Sequence, residues 1–138
     1  MWGALDIPTS GMIAQRTRLD VISSNIANAD ALLDAQGNYN PYRRREAAFA
    51  PGDPSASTAN GQAMGVHVAE IMTDQDALRP KWDPSNPYAD NKGYVMVPDI
   101  NPIIEQVNGM AAMRSYEANV AAAESIKATM AQALRLLV

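Results

Sequence analysis

Residues 101–138 run NPIIEQVNGMAAMRSYEANVAAAESIKATMAQALRLLV, a stretch that gives more than a quarter of the chain to a single helix. Asn101 offers a side-chain cap, and Pro102 suits the first helical position, where its missing N–H has no partner to lose. From Ile103 to Val138 is 36 residues, about 54 Å of continuous helix at 1.5 Å per residue. Met113, Tyr116, Val120, Ala123, Met130, Leu134 and Leu137 follow one another at helical steps, which places them in one stripe. Alanines such as Ala111, Ala112, Ala121 and Ala122 lie on and off that stripe, so neighbours can approach on more than one face. Asn108-Gly109 is the soft point. Glycine costs about 1 kcal/mol of helix propensity against alanine, so a kink or loosened turn is expected there.

A second stripe opens the chain. Leu5, Met12, Leu19 and Ile26 fall seven apart, with Ile22 and Ala29 filling the intermediate turn. A helix over about 6–29 is predicted, with Asp6, Thr9 or Ser10 as its N-cap and Pro8 confined to the first turn. Between the helices, residues 30–101 hold seven of the nine prolines, together with Gly37, Gly52, Gly61, Gly65 and Gly93. That composition predicts short strands and turns. Val66 and Val68 alternate with polar neighbours over 65–72, a half-buried strand pattern. Residues 94–97 are a second β-rich run and 42–49 a weaker third. Residues 51–61, PGDPSASTANG, are expected to be loop, and 82–93 an extended series of turns. The fold class expected is α+β: long N- and C-terminal helices forming a coiled-coil-like pair, with a small β-rich, turn-rich middle segment. The divisions fall at 1–30, 31–101 and 102–138.

Charge and composition exclude several functions. The net charge is −4, the wrong sign for a nucleic-acid partner. Residues 102–138 carry three basic and three acidic groups. Such a neutral helix can lie beside copies of itself with little repulsion. There is no cysteine, hence no disulfide framework and no thiolate chemistry. No basic segment followed by a continuous apolar core marks a cleavable signal peptide. No apolar run reaches the roughly 18 residues of a membrane span, so direct membrane insertion is not expected.

Chemistry is sparse. His67 is the sole histidine, so a triad or multi-histidine metal site is unavailable. Asp74, Asp76, Asp83, Asp90 and Asp99 lack the spacing of a calcium loop. The glycines do not gather before a helix as a phosphate loop requires. Arg43-Arg44-Arg45 could meet phosphate, but a solvated strand face suits an acidic chain better. No catalytic, cofactor-binding or metal-binding residue is expected, and no cofactor.

What remains are the stripes, which no isolated helix can bury. They either close on each other as a self-contained hairpin or meet other subunits. Leu5, Met12, Leu19, Ile22 and Ile26 at one end, with Met113, Tyr116, Val120, Ala123, Met130, Leu134 and Leu137 at the other, are the candidate assembly interface. Asn25, Asn28 and Asn119 are candidate register-setters within it, since a polar amide at a helix interface specifies alignment at some cost in stability.

A resemblance sharpens this. Ser10-Gly11-Met12, followed by Leu19-Asp20-Val21-Ile22-Ser23-Ser24-Asn25-Ile26-Ala27-Asn28-Ala29, resembles the N-terminal signature of the axial proteins of the bacterial flagellum. Arg114-Ser115-Tyr116-Glu117-Ala118-Asn119 resembles their C-terminal signature. The middle is more specific. Tyr42-Arg43-Arg44, Gly65-Val66-His67-Val68 and the segment Asp83-Pro84-x-Asn86-Pro87-x-Ala89-Asp90-x-x-Gly93-Tyr94-Val95 resemble the flagellar basal-body proximal rod protein C family (FlgC). Residues 34–41, and Pro102 with Gly109, depart from that pattern and bear on loop contacts and local helix geometry.

The resemblance implies a structural subunit of the proximal rod, helping to form the drive shaft that transmits torque and encloses the export channel. It implies export through the flagellar type III apparatus without a cleaved signal peptide. It also implies a place in the basal-body rod across the periplasm, and terminal helices that are disordered or loosely held in the monomer and pair on assembly. The partners it implies are copies of itself, other proximal and distal rod subunits, and the rod-to-ring adaptor. The alternatives are a sibling axial subunit, such as another rod or hook-type protein, and a self-contained helical adaptor.

Overall fold

The first helix, α1, spans Gly3–Ala27 and begins before the predicted caps. In the computed structural model, which describes residues 3–136, Asp6 accepts a hydrogen bond from the Thr58 hydroxyl. The Thr9 hydroxyl donates to the Leu5 carbonyl (2.7 Å) and that of Ser10 to the Ile7 carbonyl (2.7 Å). All three are thus used from inside the helix, and Pro8 sits buried within it, beyond the first turn. Tertiary cover over the first turn outweighs local start signals, as it commonly does for propensity.

The second long helix, α3, spans Pro102–Leu136. It starts where Asn101 predicts: the Asn101 side chain accepts from the Ile103 N–H (3.0 Å) and its carbonyl from the Glu105 N–H (3.0 Å). Gly109 does not interrupt it. A Cβ built there would lie 3.7 Å from Ile22 Cγ2, an ordinary contact, so the glycine sits quietly in a seam.

That seam joins α1 and α3, the most extensive packing in the molecule. The helices run antiparallel: Gly11 faces Asn119, Ile22 faces Gly109, and Asn25 bonds Glu105. On α1 it buries Ala14, Val21 and Ile22, and on α3 it buries Ala112. The α+β class and the helix pair are as expected, and a single chain supplies both partners.

The middle holds two separate antiparallel hairpins. Strand β1 (Arg45–Pro51) pairs with β2 (Val66–Thr73), with a shift in register between Ala48 and Phe49. A short helix, α2 (Ala59–Met64), connects them, where a loop was expected. Thr58 caps it, its hydroxyl oxygen accepting from the Gly61 N–H (3.2 Å). Gly61 lets it press on α1, since a Cβ there would stand 2.7 Å from the Cβ atoms of Ala56 and Asp6. His67 Nδ1 is 2.7 Å from the Gly52 carbonyl, pinning the mouth of this hairpin.

The second hairpin pairs β3 (Leu78–Trp82) with β4 (Tyr94–Pro98). Strand β3 went unpredicted because Pro80 argues against a strand interior. In a two-stranded hairpin its missing N–H can face outward. Residues 83–93 close it through successive side-chain-capped turns. Asn86 accepts from the Tyr88 N–H, Asp90 accepts from the N–H groups of Lys92 and Tyr94, and Gly93 takes φ +83°.

Candidate functional site

Two features stand out: a buried polar junction at one end of the helix pair, and an apolar face left open on α3.

The junction centres on Asn25, which is fully buried. Its Nδ2 donates to the Arg45 carbonyl (2.8 Å) and to Glu105 Oε2 (2.9 Å). Its Oδ1 accepts from the Arg45 N–H (3.0 Å) and the Tyr42 hydroxyl (3.1 Å). An amide has two donors and two acceptor positions, and all four are used. Glu105, at 1% exposure, also accepts from Arg44 Nε at 2.9 Å. Partial burial works against the Arg44 charge, but the hydrogen bond and charge of Glu105 outweigh it and raise its pKa above the ordinary arginine value. One amide thus ties α1, the start of β1 and α3 together. Such a network specifies a single arrangement because breaking any member strands another in low dielectric.

The same logic repeats further along α1. Ser10 Oγ accepts from the Val66 N–H (3.0 Å) and so fixes where β2 begins. A Cβ at Gly11 would lie 2.7–2.9 Å from the Asn119 carboxamide, so only glycine lets α3 come this close. Asn119 Nδ2 donates to the Ser115 carbonyl (2.8 Å), and Asn28 Nδ2 to that of Ser24 (2.8 Å).

The apolar face lies opposite the seam. Ile103 (72% exposed), Ile104, Val107 and Met110 stand in solvent, as do Met113 and, near the far end, Leu134 and Leu136. Residues 103, 107 and 110 follow i, i+4, i+7 spacing, so they form one row.

The remaining candidate interface residues are distributed as follows. Ile22 is buried, and Leu5, Met12, Leu19 and Ile26 are half-buried on α1. Val120, Ala123 and Met130 are half-buried on α3, whereas Met113, Tyr116 and Leu134 face outward. Leu137 lies outside the described residues. Sequence reasoning missed Glu105, Arg44, Gly11 and the row from Ile103 to Met110. The row's spacing was legible. The seam's was too: Glu105, Ala112, Asn119, Ile126 and Ala133 fall seven apart. It was obscured because it is small and polar where a seam is usually large and apolar.

Among the described residues, no helix is long and apolar enough to cross a membrane, and no cluster of side chains could hold a metal ion.

Known proteins resemble this chain along nearly its whole length. A family model described as flagella basal body rod protein matches residues 5–31, most of α1. The flagellar basal-body rod protein FlgC of Buchnera aphidicola from Acyrthosiphon pisum is 38% identical over 132 residues, covering 95% of this chain and 93% of that protein. FlgC of Escherichia coli O6:H1 is 39% identical over the same shares. FlgC of Bacillus subtilis is 36% identical over 143 residues, covering 96% of this chain and 95% of its own. Likeness of that degree spans both helices and both hairpins, and on it the chain belongs to the FlgC family of flagellar basal-body rod proteins.

Proposed function

We propose that this chain is a structural subunit of the proximal rod of the flagellar basal body, helping to form the shaft that transmits torque and encloses the export channel. The observation that carries the reading is the apolar row Ile103, Val107 and Met110, left in water on a helix whose other face is already packed. A row of that kind is a cost in a free monomer and a gain once a neighbour covers it. The wholly satisfied junction at Asn25 supports the mechanical part, because interlocked groups with no slack transmit strain with little compliance. Copies of the same chain, other proximal and distal rod subunits and the rod-to-ring adaptor are the partners this reading supplies. The type III apparatus would deliver it across the inner membrane, without a cleaved leader, to a rod that crosses the periplasm.

The test is genetic and biochemical together. Deleting the gene should abolish motility, and basal bodies purified from the complemented strain should contain the chain at a fixed ratio to the other rod proteins. Full motility in the deletion strain, or basal bodies lacking the chain, would overturn the reading.

A further inference from the structure

Arg43, Arg44 and Arg45 do not share one fate. Arg44 turns inward to Glu105. Arg43 and Arg45 border a separate cleft of about 350 Å³, lined also by Asn28, Asn40, Thr73 and Gln75. Arg43 Nε is buried from solvent without a hydrogen-bond partner, and its Nη1 reaches Asn40 Oδ1 at 3.4 Å. The Arg45 guanidinium lies over the Tyr42 ring, 5.4 Å from its centre. Among the described residues, neither arginine has a carboxylate within ion-pair distance.

The acid that does border the cleft, Asp34, is already engaged: its Oδ1 accepts from the N–H groups of Gln36 (3.0 Å) and Asn38 (2.9 Å). Two positive charges without a carboxylate partner therefore border a polar cleft in a protein whose acids outnumber its bases by 15 to 11.

We infer that this cleft is a carboxylate-binding site, in which Arg43 and Arg45 receive an acidic side chain of an adjoining subunit. The inference rests on the rod reading above, which supplies the neighbour. The guanidinium fork matches a carboxylate in two parallel hydrogen bonds, and Asn28 and Thr73 can satisfy what remains. A phosphate is disfavoured by position. Asn28 follows directly on the C-terminal end of α1, where the helix dipole is negative and opposes any anion, a phosphate dianion more strongly than the single charge of a carboxylate. No helix N-terminus borders the cleft to favour one.

The experiment places a photo-cross-linker at the exposed rim, as Gln75→p-benzoylphenylalanine, in the complemented deletion strain. Expected is an adduct in purified basal bodies joining this position to a peptide of another subunit that contains Asp or Glu. Arg43→Ala with Arg45→Ala should abolish the adduct and lower incorporation about tenfold, as removal of one side of an interfacial charge pair does. Arg43→Lys with Arg45→Lys should fall between. Folding is controlled by the thermal melt of the purified variant. The junction holds Arg45 by its backbone, so trimming the side chain should leave the melt in place.

Unchanged incorporation of the double alanine variant, or no adduct in wild-type basal bodies, overturns the site. So does calorimetric binding of inorganic phosphate to the purified chain that the double variant loses. Basal bodies without the wild-type chain overturn the rod reading, and this inference with it.

Discussion

Asn25→Ala removes four hydrogen bonds at once and leaves Glu105 Oε2 and both backbone groups of Arg45 short of partners. Each buried group left unmet costs about 1–3 kcal/mol, so the variant should lose roughly 3 kcal/mol in chemical denaturation. A loss below about 1 kcal/mol, the ordinary surface range, would show that water substitutes for the amide. Two glycines in the same seam should respond with opposite signs. Gly109→Ala gains helix propensity and meets only an ordinary contact at Ile22, so it should stabilise by about 0.5–1 kcal/mol. Gly11→Ala drives a methyl into the Asn119 amide, and overpacking of this kind costs about 1–3 kcal/mol. Thermal melts of the two variants, side by side, check both signs. Neither sign was legible in the sequence, because a glycine inside a helix looks the same whether it admits a neighbour or merely tolerates one.

For the elements, α3 presents one packed and one exposed apolar face, which the proposed function uses differently. Val107→Glu with Met110→Glu changes only exposed positions, so the melt should stay within about 1 kcal/mol of wild type, as surface substitutions do. Incorporation into basal bodies should be lost. Ala112→Glu is the contrasting case: the site is fully buried against α1, and an unpaired charge there costs several kcal/mol, so the purified chain itself should unfold. If both variants fail to fold, the outer row packs within the chain and is no docking face. The helices were legible because cap, proline and periodicity agreed at α3 and periodicity alone sufficed at α1. Strand β3 was hidden by Pro80, and α2 by a composition that reads as loop until Asp6 and Thr58 meet. The polar seam escaped because Glu105 is buried, and Asn119 half-buried, only where Arg44 and a glycine, distant in sequence, come to meet them.

Across the whole molecule, burial along α3 is graded. Glu105 and Ala112, its fully buried residues, both lie toward its start, and the far end is half-buried at best. Amide exchange follows the local cost of opening. In the isolated chain, protection should therefore be strongest across 105–119 and on the facing 11–25 of α1, and weakest beyond 130. Uniform protection to the end of α3 would mean that the helix pair closes fully without neighbours.

The bond between Asn25 and Glu105 joins positions 80 residues apart. On the export route proposed above, a chain emerging N-terminus first cannot make that bond until three quarters of its length is out. Until then α1 has no helix to lie against: Asn25 can reach only Tyr42 and Arg45, and Gly11 has no Asn119 to fit. Contacts of such long sequence separation form slowly and late. The architecture therefore delays its own locking: the segment made first is the segment completed last, which on that proposed route would keep the chain threadable in transit and let it set on arrival.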